Sequence, residues 1–298
     1  MTTGGTRPQA AADLDHVGLV GRDLMPLMRA FDRLGFNLTE PRLLMRQDGT
    51  GGAPESLEQS SCHAVFRRGY IELSAVHTRS SRHHLAAYLD HGPALKIIAL
   101  GTDDVLERHE AAERGWLEPT IPALASREVS YGSRPGEARF RWFMVGSARA
   151  PEGLLCMVRN LTPEIVYQPE VQRHPNGAVA LAAVSICVED VDRVAERYAL
   201  LLGVEPRSPA GSDRVREFDL GGQSLRIATG AALAEFYEGF KVPAGPCLAG
   251  FSVAVESIAQ AAAVLGSHDV EFRRVGGNGL IVQLDAAGGT HVELVATA

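Results

Sequence analysis

One grammar recurs four times along the 298 residues and limits the fold more than any other feature. In LDHVGLVGRDLMPLMRAFDRLGF (14–36) an apolar run fit for a buried strand leads to Asp23, a residue suited to cap a helix. Leu24, Leu27, Met28, Phe31 and Leu34 follow at helical spacing, Pro26 falls in the tolerant first turn, and Gly35 supplies a stop. The same order returns in residues 94–115 with Asp104 and Gly115, in 181–203 with Asp190 and Gly203, and in 248–266 with Ser257 and Gly266. Short alternating runs separated by turn residues come after each helix, such as HAVFRR and YIELSAV after the first, or GLIVQLDAAGG and HVELVAT after the last. The unit is βαβββ, and four copies in register carry far more weight than one β-α-β signal.

Pro175, Asn176 and Gly177 in RHPNGA break the pattern midway, which divides the chain into 1–168 and 175–298. Each part holds two modules, about 13–77 and 93–160, then about 178–230 and 247–297. Three longer connections, 46–60, 77–92 and 231–246, read as loops able to cover a site. A net charge of -7 argues against nucleic acid or an anionic membrane as partner, and no run reaches the ~18 apolar residues of a membrane span. MTTGGTRPQAAAD lacks the build of a signal peptide, and Cys62, Cys156, Cys187 and Cys247 are scattered without a CxxC pair. A cytoplasmic chain acting on a small molecule is the expectation, with a homodimer allowed but not required.

DHVGLVGRDL at the start, LGF after the helix and GYIEL at the fourth strand resemble the vicinal oxygen chelate superfamily, which includes glyoxalases, bleomycin- and fosfomycin-resistance proteins, methylmalonyl-CoA epimerases and extradiol dioxygenases. The stretch 160–178 is similar to the middle of four-module bacterial glyoxalase-like proteins. The resemblance implies an α+β fold in which four βαβββ modules form two half-open mixed β-barrels. It also implies one divalent ion (Zn, Mn, Ni, Co or Fe) per working barrel, held by a first-strand His and a fourth-strand Glu of each module.

Those family positions fall on His16 and Glu72 in module one, on Lys96 or Ile97 and near Met157 in module two, on Ala183 and Arg226 in module three, and on Gly250 and Glu293 in module four. The expected metal ligands are therefore His16, Glu72 and Glu293. They meet in one cup only if module one pairs with module four and two with three, the pairing this reading favours, since a usable site needs about three protein ligands. Gly250 would then leave a position open. Reading Arg68–Gly69 as a two-residue turn places Val65 opposite Glu72 and His63 on the same face, so Glu72, Glu293 and His63 are the candidate proton carriers. The same alternation puts His291 on the Glu293 face.

The histidines at 77, 83, 84 and 91 lack ligand spacing, and GTGG (49–52) is no phosphate cradle. The expected activity is a glyoxalase-like, metal-dependent lyase or isomerase acting on vicinal oxygens. Its rivals are a non-haem Fe(II) extradiol-type dioxygenase and a non-catalytic small-molecule binding or resistance protein.

Overall fold

The computed structural model describes residues 12–47, 53–89, 92–237, 245–283 and 285–297; the GTGG stretch, His91 and most of the N-terminal tail lie outside them. Module one runs β1 (Asp13–Gly21), α1 (Leu24–Arg33), β2 (Arg42–Gln47), β3 (Glu55–Val65) and β4 (Tyr70–Val76). Module two runs β5 (Ala94–Gly101), α2 (Val105–Arg114), β6 (Ala123–Val129), β7 (Gly136–Met144) and β8 (Leu154–Asn160), and the short α3 (Pro163–Val166) leads out of it. Module three has β9 (Ala178–Cys187), α4 (Val191–Leu202), β10 (Val215–Asp219), β11 (Ser224–Ala228) and α5 (Gly230–Phe236). Module four has β12 (Cys247–Val255), α6 (Ile258–Ser267), β13 (Phe272–Val275), β14 (Gly279–Val282) and β15 (His291–Ala296). Module three departs from the repeat: two strands follow its helix, and one bridge between Arg207 and Glu217 stands in for the third.

The expected caps close the four long helices. Asp23 accepts from Met25 N, Asp104 from Leu106 N and Glu107 N, Asp190 from Arg193 N, and Ser257 from Gln260 N. Gly203 ends α4 in the left-handed region. Gly266 does not stop α6, which runs on to Ser267 before Asp269 turns the chain at φ 53°. The expected loop at 46–60 is shorter than its composition suggests, because β3 already begins at Glu55.

Modules one and two share one closed barrel of order β1-β4-β3-β2-β6-β7-β8-β5. Modules three and four share an open seven-stranded sheet, β10-β11-β9-β12-β15-β14-β13. This overturns the one-plus-four pairing. β1 lies antiparallel to β5, and β2 meets β6 with Met45 opposite Ser126, so module one has both edges filled by module two. Glu293 consequently belongs to the other sheet.

Alternation along the barrel strands separates two cores. Ile71, Leu73 and Ala75 of β4 join Phe31, Leu155, Met157 and Phe251 in the large core that lies beneath the helices and runs into the C-terminal half. Ile97, Ala125, Phe140, Leu154, Cys156 and Val158 form the second, inside the barrel. The linker stitches the halves together. His174 Nε2 is 2.9 Å from Val65 O while its Nδ1 accepts from Asn37 N, and Asn176 donates to Leu34 O.

Candidate functional site

The barrel interior opens into a cavity of about 70 Å³ lined by His16, Gln59, His63, Glu72, Arg127 and Trp142 among apolar neighbours. β4 alternates Tyr70, Glu72 and Ser74 toward it, and β3 alternates Gln59, Ser61 and His63. The turn between them falls at Arg67–Arg68, one residue before the expected Arg68–Gly69. Phe66 N donates to Gly69 O, Val65 pairs with Tyr70, and His63 stands directly opposite Glu72. The cause is docking of the turn on β9, where Arg67 N donates to Val179 O and Leu181 N donates to Arg68 O. A shift of two residues keeps the face, so His63 still lines the cup.

His16 and Glu72 face each other with Nε2 and Oε2 3.5 Å apart. The other ring nitrogen, Nδ1, lies 2.6 Å from Asp15 Oδ1. Neighbours on a regular strand point to opposite faces, yet Leu14 pairs with Leu100 and His16 with Ala99, which makes Asp15 the extra residue of a β-bulge. The bulge is what lets Asp15 reach the ring of the next residue. Glu72 Oε1 accepts from Gln59 Nε2 at 3.0 Å and from the Ser74 hydroxyl, and Gln59 also donates to Ser74 Oγ. Tyr70 stacks on His16 with ring centroids 4.5 Å apart and meets His63 edge-on.

Burial, reinforced by the nearby Arg127 and His16, holds the His63 imidazole well below its ordinary range. It is a neutral ring, and its Nδ1 has no hydrogen-bond partner. Burial pushes the Tyr70 phenol and the Cys156 thiol up, so both keep their protons. His84, another lining residue, is lowered to about 3 by burial and by the charges of His83 and Arg46. His77 and His83 tie their loop to β3, with His77 2.8 Å from Ser60 Oγ and His83 3.0 Å from Leu57 O.

Module two brings no acidic or imidazole ligand to the cup. The residues related by the repeat to His16 and Glu72 are Ile97 and Cys156; Met157, one step along β8, faces the outer core instead. Arg127 and Trp142, which sequence reasoning passed over, take the remaining polar places. Among the described residues no three His, Cys, Asp or Glu side chains converge as a ready metal-binding group. Glu293 is not brought to His16. Its Oε2 accepts from Ser252 Oγ at 2.6 Å, and Arg226, a conceivable partner for it, pairs with Glu217. Gly250 leaves no open position either, because a Cβ there would lie 2.6 Å from His291 O. His291 is fully buried and stacks on Tyr237.

The donor set fits one divalent ion. A neutral ring that donates Nδ1–H to Asp15 would present a bare lone pair at Nε2 to the Glu72 carboxylate. Nε2 and Oε2 at 3.5 Å are reconciled either by a cation between them or by a proton on Nε2. Imidazole held by an outer carboxylate, beside a carboxylate held by an amide and a hydroxyl, is the donor chemistry of a site for such an ion. The chain would supply two ligands to such an ion, His16 and Glu72, and the other positions would fall to water or substrate.

The model of a glyoxalase-like domain family matches residues 14–202, which spans the whole barrel and the start of module three. A search of the curated proteins found no match. Among solved structures, a hypothetical protein from Staphylococcus aureus is similar at TM-score 0.60 and 9% identity, over 96% of this chain and 99% of that one. A mutant of 4-hydroxymandelate synthase from Streptomyces coelicolor is similar at TM-score 0.61 and 14% identity, over 97% and 93%. A xylose isomerase-like TIM barrel/4-hydroxyphenylpyruvate dioxygenase fusion protein is similar at 0.55 and 14%, over 97% of this chain and 50% of that one. At these identities the structures speak for the fold alone, and no described helix is long and apolar enough to cross a membrane. With the barrel topology and the family match in agreement, the chain belongs to the glyoxalase-like domain family of the vicinal oxygen chelate superfamily.

Proposed function

We propose that the N-terminal barrel is the working half, and that it carries a metal-assisted proton transfer of the lyase or isomerase kind on a small substrate with neighbouring oxygens. The observation that carries this reading is the His16–Glu72 apposition, in which Asp15 turns the imidazole so that Nε2 faces a carboxylate. His16 and Glu72 would hold a divalent ion, which when bound supplies Lewis acidity for charge developing on a substrate oxygen.

The chain's own residues do the rest. Gln59 and Ser74 fix the Glu72 carboxylate, and Tyr70 fixes the plane of the His16 ring. His63 is the side chain best placed to carry a proton, because its imidazole is neutral, it stands opposite Glu72, and its Nδ1 is free. Phe140, Ile97, Leu154 and Val158 keep water from the remaining walls. The second half, with Glu293 bonded to Ser252 and His291 buried under Tyr237, serves as the support on which the barrel is built.

The test uses protein purified without a histidine tag and titrated calorimetrically with Mn²⁺, Zn²⁺, Ni²⁺ and Co²⁺. One site per chain is expected. His16→Gln and Glu72→Gln should each weaken it by more than the roughly 10–100-fold that loss of an outer partner costs. Deuterium exchange at the carbon beside the hydroxyl of dihydroxyacetone, followed by NMR, should require the ion and vanish in His63→Gln. Retention of metal and exchange by His16→Gln would remove the basis of the reading. Small-molecule binding that survives chelation, without exchange, would favour the binding-protein alternative. Oxygen uptake with catechols restored by Fe(II) would favour the dioxygenase.

A further inference from the structure

Arg127 enters the barrel from β6 and is 3% exposed, yet among the described residues no carboxylate lies within ion-pair distance of it. Its guanidinium carbon lies 5.9 Å from the centre of the Phe140 ring, and its Nη2 has no hydrogen-bond partner. A guanidinium removed from water without an anion is costly, so a site that keeps one is built to receive an anion.

Three further polar atoms in the same cavity are buried and unpartnered: Trp142 Nε1, His63 Nδ1 and Gln59 Oε1. Indole N–H donates only, so Trp142 asks for the same kind of oxygen as Arg127. Gln59 has committed its amide nitrogen to Glu72 and Ser74, which leaves its oxygen as an acceptor in need of a hydroxyl donor. Donors for an anion at one point and an acceptor for a hydroxyl at another describe a short chain bearing both groups.

We propose that the cup takes a small 2-hydroxycarboxylate, with the carboxylate on Arg127 and Trp142 Nε1 and the hydroxyl directed to Gln59 Oε1. The assignment names the substrate class of the site above and, for the neighbouring oxygens that meet the ion, rests on that reading. Its anion-binding core stands on Arg127 alone. A volume of about 70 Å³ suits a two- or three-carbon head, since about 150 Å³ accepts a benzene ring. Charge agrees. Asp15 and Glu72 against Arg127 leave the cup one charge negative, a divalent ion makes it one positive, and a monoanion restores neutrality. Acid and ion should therefore bind each other's complexes more tightly, by the same factor.

Calorimetry of the full chain with lactate, and with lactamide as the neutral control, tests this. Each is titrated with and without one equivalent of Mn²⁺ into wild type, Arg127→Gln and Trp142→Phe. Lactate should bind wild type and weaken about 10–100-fold in Arg127→Gln, the range for losing a charge-assisted pair. Lactamide should bind poorly to both. Trp142→Phe, which removes one N–H and keeps the ring, should weaken lactate roughly 3–10-fold and decides the matter if Arg127→Gln fails to fold. Equal lactate affinity in wild type and a folded Arg127→Gln, equal binding of lactamide and lactate, or no lactate binding at all would overturn the proposal. Arg127-dependent lactate binding that ignores Mn²⁺ and Glu72→Gln would leave the carboxylate site standing and sink the metal-assisted function. Metal binding with Arg127-independent lactate would do the reverse.

Discussion

Asp15→Asn isolates the tautomer argument from everything else in the cup. In the proposed site the Asp15 carboxylate, 2.6 Å from Nδ1, receives Nδ1–H and leaves Nε2 free toward Glu72. Asparagine fills the same volume but can turn its NH₂ to the ring. An imidazole that accepts at Nδ1 carries its proton on Nε2, where Glu72 Oε2 at 3.5 Å receives it. The gap proposed for the ion is then closed by the ring's own proton. Losing an outer carboxylate costs about 10–100-fold in metal affinity, or about 1.4–2.7 kcal/mol. Tautomer exchange adds to this, so the upper end is expected. Fold stability should move less, by about 1 kcal/mol, because one hydrogen bond is traded for another. Two-bond ¹⁵N–¹H NMR on histidine-labelled protein reads which ring nitrogen carries the proton, and a Mn²⁺ titration reads the affinity. The reasoning fails if His16 in the variant keeps its proton on Nδ1 and Mn²⁺ binds within twofold of wild type. It fails equally if wild-type His16 carries protons on both nitrogens at pH 8, since the cation between the residues would then be a proton.

Gly18→Ala should cost about 1–3 kcal/mol by overpacking, because its new Cβ would stand 2.8 Å from Cβ and Cδ1 of Ile97; Gly18→Ala and Ile97→Ala together should cost less than the sum of the two alone in thermal melts, and an unchanged melting point for Gly18→Ala would refute the close approach. Arg197→Met should destabilise by about 3 kcal/mol, since it strips the cation from Glu152, whose side chain is 1% exposed, and leaves it, among the described residues, the Tyr198 hydroxyl at 3.0 Å; Glu152→Gln in the same background should restore much of that in urea melts. Acid should weaken the fold through its buried histidines. His84, held to about 3, and His174, held below its ordinary range by burial, take a proton less readily in the fold than in the unfolded chain, where each titrates near pH 6.5. Their stabilisation is complete above about pH 6.5 and lost as pH falls, at up to about 1.4 kcal/mol per unit for the buried His174 and roughly half that for the partly exposed His84. Melting temperatures between pH 7.5 and 5 should fall less steeply in His84→Phe/His174→Gln, and an identical slope would reassign the acid sensitivity.

What the chain reveals about itself depends on which rule a residue obeys. Strand, cap and helix in each module follow local rules, so their order is legible wherever Asp23, Asp104, Asp190 and Ser257 stand before an amphipathic run. His16 and Glu72 are legible because each sits in a recognisable word on a strand face. Asp15 was hidden by that same regularity: alternation sends it away from His16, and only the bulge between Leu14 and His16 reverses this. Module pairing is not local at all, since similar modules offer similar edges, and the choice is made where β2 meets β6. Arg127 did leave a signal. In ALASREV the buried positions are Ala123, Ala125, Arg127 and Val129, an apolar face with one charge on it. A charge that breaks an alternating face has either a partner across the core or a ligand to meet, and the barrel gives Arg127 no such partner among the described residues. The words of the repeat thus point to the half of the cup that module one builds. The violation of the repeat points to the half that module two builds, where the means to select a substrate would lie.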